Sequence, residues 1–160
     1  MKCVSTDTIR EVARAYDPSP GIQRSSYGGS GPAVSDWLQS CSELSKGVLS
    51  VIDQTINRKK SMVLEGVNIL PSEELLDRWR KGGGVGVGIL LKLGDRERHY
   101  QQIIKRGFGP QIQNFTRICE IQEEMERRAK QSNWIQIDQN SYPEKYYHHL
   151  VLDIVSHNIK

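Results

Sequence analysis

A chain of 160 residues is long enough for one domain with one core and too short for two ordinary ones. Its hydrophobic fraction of 37% and charged fraction of 26% are those of a soluble globular protein, and no apolar run or charged-then-apolar leader marks a membrane span or signal segment. A net charge of +3 is too weak to argue for nucleic acid, although it suits an anionic ligand; Cys3, Cys41 and Cys119 are too scattered for a disulfide framework or a metal pair, which points to an intracellular, cytoplasmic compartment.

Met1 to Asp7 reads as a short strand ending in helix-capping residues. Thr6 or Asp7 can cap the next helix, in which Ile9, Val12, Ala13 and Tyr16 fall at helical spacing until Pro18 and Pro20 stop it. Residues 21–32 are rich in glycine, serine and proline around Arg24 and Tyr27, a loop long enough to be functional. Val34, Trp37, Leu38, Cys41, Leu44, Val48, Ile52 and Ile56 then trace one face of a long helix. After Arg58-Lys59-Lys60, the run Ser61 to Pro71 is apolar, with one carboxylate and one glycine set into it, and reads as a buried strand. Burying an unpaired charge is costly, so Glu65 belongs either in water at the strand's mouth or against a cation or metal-bound water. In open α/β sheets that mouth is where ligands bind.

Ser72, with Glu73 and Glu74 suited to the helix dipole, starts a short helix carrying Leu75, Leu76 and Trp79. Gly82-Gly83-Gly84 ends it, and Val85 to Leu93 reads as a second buried strand. These glycines follow a helix and open a strand, the reverse of a nucleotide-binding loop, and are read as a turn. Asp95 can cap a helix in which Arg96, Arg98, His99, Lys105 and Arg106 gather positive charge, broken by residues 107–110. A helix over Gln111 to Gln131 places Ile112, Phe115, Ile118, Cys119, Gln122, Met125 and Ala129 on one side and a solvated run of charge on the other. Trp134 to Asp138 is a third strand. Residues 140–143 turn into a last helix with Tyr146, Leu150, Val151 and Ile154 inward. His148, His149 and His157 lack acidic or cysteine partners at metal spacing and read as structural or exposed. The order of elements implies an α/β fold: three layers, a mostly parallel sheet of about four strands, and helices on both faces.

Several separated motifs recur in the order seen in one family: residues 4–10 (Val-Ser-Thr-Asp-Thr-Ile-Arg), the Ser25-Ser26-Tyr27 loop, residues 65–71 (Glu-Gly-Val-Asn-Ile-Leu-Pro), and the run from Asn114-Phe115 through Arg117-Ile118 to Ile121-Gln122. Arg128-Ala129 and residues 135–140 (Ile-Gln-Ile-Asp-Gln-Asn) complete the set. Together they resemble the 2-phosphoglycerate kinase family of P-loop kinases, especially its plant branch, the low-phytic-acid proteins, over nearly the whole chain. The resemblance implies a single partial kinase-like domain over 1–160, with 21–32 as the acceptor-side loop and about 95–131 as lid-like helices. The family's G-x-x-x-x-G-K-[ST] loop is not among these residues; its strand is expected immediately upstream of Met1, in the middle of the sheet. Gln102 stands where a lid arginine is expected, while His99 and Arg106 keep their places, and the turn over 138–141 matches only loosely.

The resemblance also assigns roles. Glu65 becomes the strand-end acid that holds a magnesium-bound water or orients the acceptor hydroxyl. Asp7 is the acceptor-side carboxylate or, alternatively, a plain helix cap. Arg10, one turn on, grips a phosphate or carboxylate or is a surface arginine; Arg24, Ser25, Ser26 and Tyr27 cradle the acceptor's phosphate. Arg98, Lys105, Arg106 and Arg117 are lid cations or simply solvated, and Asn140 meets the adenine edge. The expected function is ATP- and magnesium-dependent phosphoryl transfer to a small phosphorylated acid or polyol, without activity in these residues alone. The alternative is a non-catalytic anion-binding or protein-interaction module. A helical nucleic-acid binder over 96–128 is disfavoured, because acids interleave its bases and no aromatic platform accompanies them.

Overall fold

In a computed structural model, residues 2–107, 109–141 and 146–158 are described, those at 110, 147, 148, 155 and 158 by backbone alone. The fold is α/β, with eight α-helices and two parallel two-stranded sheets among the described residues, and the chain divides into two compact units, residues 1–70 and 71–160.

The first unit is a crossover. β1 (Lys2–Ser5) leads through α1 (Thr6–Arg14), α2 (Pro20–Gln23) and α3 (Ala33–Asn57) to β2 (Met62–Glu65), which pairs parallel to β1 with Lys2 opposite Met62 and Ser5 opposite Glu65. Parallel strands need such a long connection. α3 buries Trp37, Cys41, Leu44, Val48 and Ile52, the stripe its spacing predicts, each large apolar side chain contributing about 1.5–3 kcal/mol of transfer free energy. Trp37 also donates from Nε1 to the carbonyl of Val67 at 2.8 Å, tying the turn after β2 to the core.

Three expectations change here. Ser5, not Thr6 or Asp7, caps α1, accepting from the Asp7 amide at 3.2 Å. α1 ends at Arg14, ahead of the prolines, and buries Thr6 and Arg10, whereas Val12 and Tyr16 are exposed. The apolar spacing misleads because Arg10 finds polar partners inside. The 21–32 stretch is not all loop: Pro20 starts a helical turn that buries Ile22, whose amide also meets Glu43 Oε2 at 3.0 Å.

The second unit runs α4 (Glu73–Lys81), β3 (Ile89–Lys92), α5 (Arg96–Lys105), α6 (Gly109–Gln113), α7 (Phe115–Gln131), β4 (Ile135–Asp138), a 3-10 turn (Gln139–Ser141) and α8 (Tyr147–Asn158). β3 and β4 pair parallel, with Lys92 opposite Asp138. Ser72 and Asp95 cap α4 and α5 as read, accepting from Leu75 N and Arg98 N at 3.4 and 3.0 Å. Its core is Leu76, Leu90, Ile103, Ile118, Ile121, Ala129 and Ile137.

The glycine run ends α4 as a turn, with Gly83 at φ +78°, and the strand is shorter than Val85–Leu93. A Cβ on Gly88 would lie 2.3 Å from the Trp134 ring, so the backbone there runs close against the indole, while the Gly88 carbonyl accepts from the Ile135 amide at 2.9 Å where the β3–β4 pairing begins. The 111–131 helix is broken at Asn114 into α6 and α7. Tyr146, expected inward, is half exposed. The side chain of His148 lies outside the described residues; His149 and His157 are exposed, with His157 Nδ1 2.7 Å from the Asp153 carbonyl. Among the described residues no helix is long and apolar enough to cross a membrane.

Candidate functional site

Because β1 and β2 are parallel and in register from Lys2–Met62 to Ser5–Glu65, their carboxyl ends form one rim. Asp7, in the first turn of α1, and Glu65, the last residue of β2, are both exposed there. The turn after β2 comes close to α1: Gly66 has φ +133°, and a Cβ on it would fall 1.9 Å from Thr6 Oγ1. Only glycine fits.

Behind the rim lies Arg10, 3% exposed. One guanidinium nitrogen donates to Ser26 Oγ, the other to Asn68 Oδ1 at 2.6 Å, and Ser26 donates to the same oxygen at 3.3 Å. Asn68 is itself 3% exposed. All the acceptors are neutral, and no carboxylate among the described residues lies within ion-pair distance of the guanidinium. Burial lowers the Arg10 pKa from its ordinary value, the nearby Asp7 charge opposing that. A buried cation without a counter-charge is costly, typically several kcal/mol before compensation. Two further buried polar atoms here have no partner, Arg10 Nε and Thr6 Oγ1. Such groups are rare in folded proteins and call for a partner, a water or a ligand.

Tyr27 belongs to the same neighbourhood: burial, and secondarily the charge of Asp7, push its hydroxyl pKa up. Ser25 is exposed and closes a turn by accepting from the Gly28 amide at 3.0 Å. Arg24, by contrast, is engaged in scaffolding. It meets Asp36 Oδ1 at 3.1 Å, the Asp36 carbonyl, Gln39 Oε1 at 3.0 Å and Ser40 Oγ at 3.4 Å. Asp36 in turn accepts from the Gly31 amide at 3.1 Å, so this pair holds the loop to α3. Arg14 clips the loop at its other end through the carbonyls of Ile22 and Arg24, both at 3.1 Å.

Arg98, Lys105, Arg106, Arg117 and Asn140 all belong to the second unit. Arg98, Lys105 and Arg106 are exposed on α5 and at its end, Arg98 3.6 Å from Asp95. Arg117 is half-buried. The Asn140 amide donates to Asp138 Oδ1 at 2.9 Å while its side-chain nitrogen is buried without a partner. None of the five lines the cavity at the carboxyl end of β3, of about 230 Å³, whose wall includes Arg96, His99 and Cys119. Burial pushes the His99 pKa down and the Cys119 thiol pKa up.

The structure therefore brings Asp7, Arg10, Ser26, Tyr27 and Glu65 to one end of β1–β2. Sequence reasoning missed Thr6 and Asn68; Asn68 sits in the 65–71 motif, but its task was invisible until Arg10 was known to be buried. Among the described residues no group of three or more His, Cys, Asp or Glu could hold a metal directly. Asp7 and Glu65 are hard oxygen donors that suit magnesium through its waters. No protein-family model, curated protein or solved structure matches the chain.

Proposed function

We propose that the first unit is the acceptor-binding half of a phosphotransferase of the P-loop-kinase kind, taking a small phosphorylated acid such as 2-phosphoglycerate at the carboxyl rim of β1 and β2. The observation that carries this reading is the buried Arg10 guanidinium, held only by neutral oxygens beside an exposed rim. A phosphate or carboxylate would supply the missing counter-charge, and charge-assisted bonds to arginine are among the strong ones. Ser26 would bind the same group through its hydroxyl, and Tyr27 would flank it. Glu65 and Asp7, exposed at the rim, would orient the acceptor hydroxyl or hold a magnesium-bound water. When bound, magnesium neutralises charge on the moving phosphoryl group. Arg98, Lys105, Arg106, Arg117 and Asn140 are proposed nucleotide-side residues; the reading further expects the two parallel pairs to belong to one three-layer, kinase-like sheet.

These residues contain no G-x-x-x-x-G-K-[ST] loop, so acceptor binding and phosphoryl transfer should separate. Calorimetric titration with 2-phosphoglycerate is expected to show one saturable site, weakened at least about tenfold, or ~1.4 kcal/mol, by Arg10→Met. Incubation with ATP and magnesium is expected to give no transfer. The same missing loop favours the second reading, a non-catalytic anion-binding module, which predicts the same titration without selectivity for 2-phosphoglycerate over sulfate. Failure of the wild-type chain to bind either anion would overturn both.

A further inference from the structure

The other end of the same strand pair carries a different feature. A surface depression of about 520 Å³ at the amino ends of β1 and β2 is lined by Lys2, Arg58, Lys59 and Lys60, together with Gln54, Thr55 and Ser61. No carboxylate lines it. None of the four cations has a side-chain partner among the described residues, and all are exposed. Several other basic clusters are interleaved with acids: Arg80 with Glu73 and Asp77, Lys92 with Glu126, Arg127 and Arg128 with Glu124.

Cations after a helix often serve the helix itself, by bonding its last carbonyls. That explanation is not needed here. The amides of Arg58, Lys59 and Lys60 already satisfy the carbonyls of Gln54, Ile56 and Thr55 at 3.1, 2.8 and 3.1 Å. The turn they form requires a left-handed residue, and Lys59 occupies it at φ +50°. The chain makes the same turn after α4 and α7, where Gly83 and Asn133 hold the left-handed position. Those residue types suit it; lysine does so at a cost of about 1–2 kcal/mol. Lys2, moreover, comes from another element, brought in by the hydrogen bond its backbone amide donates to the Ser61 carbonyl at 3.2 Å.

We infer that this depression is a second anion site, built for clustered phosphates of the kind in a polyphosphate chain or a phosphorylated headgroup. Its volume is that of a small-ligand pocket, and four unpaired cations without an acid match several negative charges in a small space. It lies at the opposite end of β1–β2 from Asp7 and Glu65, so it does not belong to the acceptor rim.

The test is calorimetric titration of the full chain with tripolyphosphate at low ionic strength. One saturable site is expected, weakened at least about tenfold by Arg58→Gln/Lys59→Gly/Lys60→Gln and less than about twofold by Lys46→Gln/Lys81→Gln/Lys130→Gln, which removes the same charge from other exposed positions. The single Lys59→Gly change is expected to weaken binding while leaving the melting temperature equal or higher, because glycine relieves the left-handed backbone. Vesicles of phosphatidylcholine with and without phosphatidylinositol 4,5-bisphosphate distinguish the sources. Capture that tripolyphosphate competes away and the depression triple abolishes assigns the phosphates to a lipid surface; tripolyphosphate binding without capture assigns them to a soluble ligand. No saturable binding in either arm, or equal weakening by both triples, overturns the proposal.

Discussion

The two units use one construction and opposite electrostatics. Each has a parallel strand pair, and in each a long helix enters the second strand through the same left-handed turn, at Lys59 and at Asn133. In the second unit one carboxylate meets two guanidinium groups: Glu124 takes two bonds from Arg127, at 2.6 and 2.7 Å, and one from Arg128 at 2.7 Å. The first unit buries a guanidinium with no carboxylate in ion-pair contact among the described residues, Asp7 acting on it only from a distance. Surface pairs cost little to keep and contribute little, whereas a buried unpaired cation is retained against a penalty. An uncompensated buried cation is where a ligand is to be sought.

The largest expected effect is at Gly66. Gly66→Ala sets a Cβ against Thr6 Oγ1 and forces a side chain into φ +133°, and should destabilise by about 3 kcal/mol or more in urea unfolding. A change below about 1 kcal/mol would mean that the rim is not closed this way.

Next is the Arg10 network. Asn68→Ala leaves a buried guanidinium nitrogen without its acceptor and should cost about 2–3 kcal/mol, while Arg10→Met, which removes the charge itself, should cost less. The reverse order would show that the first unit, like the second, gains from its charge. Trp37→Phe deletes the bond to the Val67 carbonyl and should cost about 1 kcal/mol by the same measurement.

The smallest effect belongs to the second unit. The Arg127 and Arg128 guanidinium groups hold the Glu124 carboxyl at about 2, below its ordinary 4.5. Between these values the unfolded chain binds more protons, so the contribution is complete above about pH 4.5 and lost as pH falls through about 2. Glu124→Gln should therefore cost no more than about 1 kcal/mol near neutrality, and the gap should close on acidification. A gap that widens toward low pH would contradict the pairing.

What the sequence made legible was local. The α3 stripe and the Ser72 and Asp95 caps follow from spacing and side-chain chemistry within one turn, and so does a strand before Gly66, although it is only Met62–Glu65 of the 61–71 run and exposes Val63, because the chain turns at Gly66. What it hid was long-range. Arg10 is buried because Ser26 and Asn68, 16 and 58 residues further on, receive it, and no periodicity encodes that. The apolar spacing of Val12 and Tyr16 pointed the wrong face of α1 inward for the same reason. Likewise the close approach of Gly88 to the Trp134 ring, 46 residues on in the chain, is set by contact and not by local pattern. Of the candidate site, Asp7, Glu65 and the Ser26–Tyr27 loop were pointed to through the family resemblance, while the contacts of Thr6, Asn68 and Arg24 are set by packing.

The central claim is that Arg10 waits for an anion. It is tested most directly by following the ¹H–¹⁵N signal of the Arg10 Nε–H, assigned by its loss in Arg10→Met, through a titration with 2-phosphoglycerate. A saturable shift of that signal at stoichiometric ligand is the predicted result. A signal that stays fixed while ligand saturates the chain would contradict it.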